Sequence, residues 1–285
     1  MQITEITVPV GAEKPFRMLH MSDNHLCLAD ERDNERKNTL AENRANDFTG
    51  GHPQRLLDNL DALMDFARRE EVTILHTGDM IDFVSEANLD YTRKIFTGFD
   101  VFAAAGNHEF SLYVGEAWED EAYKAQSFDH VKAAFPGDFW FQTRMVNGIK
   151  FIAVDNNYYY VTPEQLELFR KETSDGVPAV LLVHNPLYSE DLYAQVTAGK
   201  KPDAPPYLFG CPEPLLRTLN DHRYRQQKPD AVTEAFLQYC NSLPNLKAVL
   251  GGHLHKYYGS RLDSGIPQYV AGSGYAGEAN LYTFI

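Results

Sequence analysis

Five short polar clusters follow one another along the chain: Asp23-Asn24-His25, Gly78-Asp79-Met80-Ile81-Asp82, Gly106-Asn107-His108-Glu109, His184-Asn185-Pro186 and Gly252-His253-Leu254-His255. Carboxylate, imidazole and carboxamide groups in this mixture suit a pair of divalent cations, which need N and O donors and open positions for water and substrate. A single D-x-H or G-N-H would carry little, because Asp and His are common at turns. Five such clusters in one chain are a different matter if the fold can bring them together.

The elements around them say that it can. His25, Asp79, Asn107 and His184 follow the apolar runs 16–21, 72–75, 101–105 and 179–183, and Gly252-His253 follows 248–250. Such runs read as strands buried on both faces. In open α/β sheets ligands bind beyond the carboxyl ends of the strands, so five clusters placed there can share one crevice. Leu56, Leu57, Leu60, Leu63, Met64 and Ala67 recur at helical spacing after Pro53, predicting an amphipathic helix. Thr162, Pro163 and Gln165 form a capping-box pattern for a second helix, and a third is expected to start near Asp230. Residues 30–51, rich in Asp, Glu, Asn and Arg and ending in Gly50-Gly51, read as a long surface loop. Residues 185–229 hold seven of the 15 prolines, which reads as an irregular insertion beginning at a candidate ligand, in the place of a substrate lid or binding loop. The clusters span the chain with no linker between them, so residues 1–285 are expected to form one α/β domain.

The set D-x-H, G-D-x-x-D, G-N-H-E, H-x-P and G-H-x-H resembles the calcineurin-like metallophosphoesterase superfamily, from residue 16 to about 259. The resemblance implies a four-layer α/β/β/α sandwich with two central mixed sheets. It also implies that Asp23, His25 and His255 hold one metal ion, that Asn107, His184 and His253 hold another, and that Asp79 bridges them. The implied reaction is in-line attack on phosphorus by a hydroxide bridging the ions, with His108 as general acid and Asp82 as the carboxylate that orients it. The ions could be Mn, Fe, Zn, Co or Ni, since all accept this donor set. Two dications, two carboxylates and one hydroxide sum to about +1, so the site attracts a phosphate although the protein is acidic.

The phosphoprotein phosphatases of that superfamily carry Arg-Gly after the second aspartate, whereas Phe83-Val84 follow Asp82 here. A phosphate-binding guanidinium is thereby lost. The pattern looks more like the bacterial branch that hydrolyses small phosphodiesters and phosphomonoesters, with inorganic phosphate as a product. Two alternatives are a noncatalytic binding scaffold, expected to have lost ligands that this chain keeps, and a nuclease. The net charge of −14, from 26 basic and 40 acidic side chains, offers no footprint for nucleic acid or an anionic membrane. Cys27, Cys211 and Cys240 are too few and scattered for a disulfide framework or zinc knuckle. With no apolar run of membrane-spanning length and no leader pattern, the expectation is a cytoplasmic protein. For substrate contacts the candidates are Asn107, His222 and Arg223 within the proline-rich insertion, and Tyr158 from the run Tyr158-Tyr159-Tyr160 after another strand end.

Overall fold

The computed structural model describes residues 1–115 and 119–285. Two mixed sheets stack face to face. The first contains β1 (Gln2–Val8), β2 (Phe16–Met21), β3 (Thr73–His76), β4 (Val101–Ala103) and β11 (Glu278–Phe284), in the order β1-β11-β2-β3-β4. The second contains β5 (Phe141–Val146), β6 (Ile149–Val154), β7 (Ala179–Leu182), β8 (Leu246–Gly251), β9 (Tyr258–Arg261) and β10 (Pro267–Val270), in the order β5-β6-β7-β8-β10-β9. Strands β2, β3 and β4 run parallel, as do β6, β7, β8 and β10, so their carboxyl ends gather along one edge of each sheet.

Side-chain alternation with period two splits the core into layers. Met18, Leu75, Phe102, Phe151, Val180, Leu182 and Ala248 fill the space between the sheets. Leu19, Met21, Ile74 and Ala103 face outward from the first sheet, under α2 (Arg55–Glu70) and α3 (Glu86–Thr97). Ile152, Leu181 and Val249 face outward from the second, under α6 (Pro163–Thr173) and α10 (Ala231–Ser242). The result is the expected α/β/β/α sandwich. Because both faces of each sheet are covered, the strands read as continuous apolar runs. Thr162 and Gln165 close the capping box on α6, Asp230 caps α10, and Cys240 lies in the core beside Phe236.

Two expectations need correction. Residues 30–51 are not a loop: α1 occupies Glu35–Thr49, capped by the Asn34 side chain on Lys37 N–H and closed by Gly50 at φ 61°. Only Ala41 and Ala45 of this helix are buried, so it carries almost no apolar periodicity to detect. The insertion 185–229 is more ordered than expected. It contains α7 (Glu190–Thr197), α8 (Glu213–Leu216) and α9 (Asp221–Gln227), which share a small apolar cluster of Leu192, Val196, Leu208, Cys211 and Leu216. The prolines restrict the length of these helices without preventing them. Short helices α4 (Glu121–Ala125) and α5 (Phe128–Lys132) complete the first sheet's cover.

Candidate metal centre

The strand ends deliver their side chains through strained backbone. Asp23, His25, Asp79, His253 and His255 all sit at positive φ, between 47° and 69°, a region that costs non-glycine residues about 1–3 kcal/mol each. So many such residues at one place mark a site held by its surroundings. Glycines let the turns approach: a Cβ on Gly78, itself at φ 95°, would lie 2.3 Å from Gly106 N, and one on Gly252 would lie 1.9 Å from Ser22 Oγ.

Seven side chains converge in two overlapping groups. His25 Nε2 lies 2.9 Å from His255 Nε2, 3.8 Å from Asp23 Oδ1 and 3.6 Å from Asp79 Oδ2. His184 Nε2 lies 3.1 Å from Asn107 Oδ1, 3.1 Å from His253 Nδ1 and 3.3 Å from Asp79 Oδ2. Asp79 is common to both groups, and its buried Oδ2 accepts no hydrogen bond.

The outer atoms of the imidazoles fix which nitrogen faces inward. His25 Nδ1–H donates to Asp82 Oδ1 at 2.9 Å and His184 Nδ1–H to Thr77 O at 2.7 Å, leaving both Nε2 lone pairs aimed at the shared space. Lone pairs gathered within about 3 Å of each other repel unless a cation lies among them. Together with the orphaned Asp79 oxygen, this makes the donor set fit two metal ions, one among Asp23, His25, Asp79 and His255 and one among Asp79, Asn107, His184 and His253. Burial would raise the Asp23 and Asp79 carboxyls, but the histidines around them hold both below the usual carboxylate range. Burial would likewise lower His184, but without an ion Asp79 raises it to about 9, so a metal ion bound there would displace the second ring proton.

Behind these groups lies a supporting network. The fully buried Asp82 carboxylate meets three cationic or donor side chains: His25 Nδ1, His108 Nδ1 at 3.1 Å, and Arg44 in a two-point contact at 2.7 and 2.9 Å. His108 Nδ1 also lies 2.8 Å from Asp82 O, so its Nε2 is the nitrogen left for the cavity. Burial pushes His108 down, but Asp79 and Asp82 outweigh it and raise the ring to about 10. Glu109, buried, accepts backbone N–H bonds from Asp79, Met80, Ile81 and Gly106, tying the Asp79 turn to the Asn107 turn. Arg44 and Phe48, whose ring stacks on His25 with centroids 4.5 Å apart, come from α1 and leave no local signal in the sequence. Phe83 is fully buried in an apolar cluster with Cys27 and does not line the cavity.

A cavity of about 400 Å³ opens over Asp79, Asn107, His108, His253 and His255. Tyr158 and Arg223 line it, whereas His222 lies in an adjoining hollow with Glu119 and Arg223. The neighbour of Tyr158 has the more specific contact: Tyr159 Oη lies 2.7 Å from His253 Nε2. Tyr160 faces elsewhere. Of the histidines outside the clusters, His20 and His76 are buried structural groups, and His130 is exposed beside Glu86.

Residues 16–257 match the calcineurin-like phosphoesterase family. Among solved structures, a dimetal phosphatase from Danio rerio is similar at 13% identity and a TM-score of 0.50, over 94% of this chain and 89% of that one. A purple acid phosphatase, PPD1, from yellow lupin (Lupinus luteus) seeds is similar at 15% identity and a TM-score of 0.51, over 95% of this chain and 45% of that one. The chain thus spans less than half of the lupin protein, and at these identities the likeness concerns the fold. No curated protein matches the chain. Among the described residues, no helix is long and apolar enough to cross a membrane.

Proposed function

We infer that this chain, which belongs to the calcineurin-like phosphoesterase family, hydrolyses phosphoester bonds of small molecules with two metal ions and with His108 as general acid. The observation that carries the reading is the unpartnered Asp79 Oδ2 between two groups of inward-facing donors, with His108 on the same cavity wall. Asp23, His25 and His255 would hold one ion, Asn107, His184 and His253 the other, and Asp79 both. Bound there, the ions would supply Lewis acidity toward a phosphoryl group and a water acidic enough to act as nucleophile near neutral pH.

The chain's own groups do the rest. His108 Nε2 gives its proton to the departing alkoxide, a role typically worth 10²- to 10⁴-fold. Asp82 fixes the ring through Nδ1, so that the proton is presented from Nε2. Tyr159 sets the rotation of His253, and Thr77 O that of His184. The cavity is of a size for small ligands, which fall in pockets of about 300–1,000 Å³. With Phe83 buried in place of a guanidinium, substrates other than phosphoproteins are favoured. Assays of bis-nitrophenyl and nitrophenyl phosphate with manganese test the reading. Turnover well above that of Asp79→Ala, which lacks the ligand common to both donor groups, is expected, and turnover no higher than that variant's would remove it.

A further inference from the structure

We propose that Arg223 reads a second anionic group on the substrate, so that the preferred esters carry a phosphate or carboxylate at the end remote from the scissile phosphorus. The proposal rests on the phosphoesterase reading and adds a substrate class to it. Arg223 belongs to α9 and lines the cavity whose floor is formed by Asp79, Asn107 and His253. Its guanidinium lies 5.5 Å from the centre of the Tyr207 ring, and that ring centre lies 5.5 Å from the His253 imidazole. Those two steps bound the distance from the guanidinium to the metal-competent face. A small substrate can touch both.

The guanidinium is held in place without a direct ion pair. Arg223 Nη1 donates to Gln226 Oε1 at 2.6 Å, and Gln226 in turn donates to Glu119. Tyr207, at φ 58°, is fixed by its N–H bond to Oε1 of the buried Gln227. A single turn of α9 thus positions the arginine, the group that orients it and the ring beneath it. Arg44, the other arginine near the site, is by contrast tied to the Asp82 carboxylate. Among the described residues Arg223 has no carboxylate at ion-pair distance. Glu119 shares the wall, but its carboxyl is engaged by Gln226, and burial raises it above the usual range against the pull of His108 and Arg223. Exposed Lys200 adds a second cation to the same wall, also without an ion-pair partner among the described residues. A planar two-pronged donor on a ring, facing a cavity, suits a phosphate or carboxylate.

The test compares phosphate release from propyl phosphate with release from ω-phosphoalkyl and ω-carboxyalkyl phosphates on propane to hexane backbones. The wild type is expected to favour at least one charged series in kcat/KM by about 10- to 100-fold, the scale of a charge-assisted two-point contact. Preference for the phosphate or the carboxylate series names the source of the anion. Arg223→Gln should collapse that ratio, and Arg223→Lys should restore part of it. Titration calorimetry with alkyl bisphosphonates against monophosphonates gives the same ratio without turnover. Equal kcat/KM for propyl phosphate and every charged ester, or a ratio that survives Arg223→Gln, overturns the proposal. If no ester is hydrolysed yet bisphosphonates bind through Arg223, the phosphoesterase reading fails and the anion site stands. If both Arg223 variants fail to fold, Lys200→Gln decides: a charged-ester preference that this variant keeps supports Arg223, and one that it abolishes overturns the proposal.

Discussion

Arg44 grips Asp82 through Nε and Nη2, at 2.7 and 2.9 Å, and Asp82 in turn holds His25 and His108 by their Nδ1 atoms. One buried carboxylate therefore sets the orientation of a candidate metal ligand and of the candidate acid. Without the guanidinium it would be a buried charge answered only by imidazoles, a costly state. Arg44→Gln is expected to reduce kcat and metal affinity by about 10- to 100-fold, the usual effect of losing a group that orients ligands. Arg44→Lys, with one point of contact, should recover part of both. Elemental analysis beside steady-state kinetics reads the two effects, and an Arg44→Gln protein with wild-type metal content and kcat would show that the pair is only structural.

His108 provides a sharper test of the chemistry. A general acid matters in proportion to the basicity of the leaving group. His108→Asn should lower kcat by about 10²- to 10⁴-fold on alkyl esters and much less on nitrophenyl esters, whose leaving group needs no proton. A plot of log kcat against leaving-group pKa should therefore be steeper for the variant. Parallel lines would assign the proton transfer elsewhere.

The strands and their polar ends were legible because double-sided burial leaves an uninterrupted apolar run and because Asp, Asn and His at its end have few other reasons to cluster. Thr162 and Asp230 were legible as caps for a similar reason: the local chemistry is sufficient. Arg44 and Phe48 were not. They reach the site from α1, whose polar surface hides its helical period, and their partners Asp82 and His25 are set by packing between elements, which no local pattern records. Tyr159 illustrates the same limit, since three consecutive tyrosines look alike until positive φ at Tyr158 and Tyr159 turns one hydroxyl onto His253.

His76 predicts how stability depends on pH. Its Nδ1 accepts Gly78 N–H at 3.1 Å and its Nε2 meets Asn24 Oδ1 at 3.0 Å, so the ring is built in as neutral. Burial lowers it to about 4, against the upward pull of Asp23 and Asp79, and His184 adds to the lowering. Metal ions nearby would act in the same downward direction. His20, also buried, is lowered to about 3, with His76 contributing and Asp23 opposing. For a histidine whose folded value lies below its unfolded value of 6.5, the unfolded chain binds more protons. Stability is then complete above pH 6.5 and lost as pH falls toward the folded value. Each ring should cost about 2 kcal/mol between pH 6.5 and 5. Urea unfolding at pH 8, 6.5 and 5 should show this slope, and His76→Gln, although less stable at pH 8, should lose less on acidification. An identical slope in the variant would mean that other groups carry the acid limb.

Tyr159 separates metal binding from chemistry. Its hydroxyl meets His253 Nε2 at 2.7 Å, while His253 Nδ1 faces His184 Nε2 at 3.1 Å, so the tyrosine acts on the second group of donors and not on the first. Tyr159→Phe removes one oxygen from a buried ring and keeps its shape. The imidazole then loses the partner that fixes its rotation, and metal affinity is expected to fall about 10- to 100-fold at that site alone. Under dialysis at limiting manganese the variant should retain one ion per chain where the wild type retains two. Metal bound at 100 times its Kd stabilises a protein by about 2.7 kcal/mol, so the metal-induced rise in Tm should shrink by the share of the second ion. His184→Ala should lose the same ion outright, and Asp79→Ala should lose both. Two ions retained at wild-type affinity in Tyr159→Phe would reduce the hydroxyl to a packing contact.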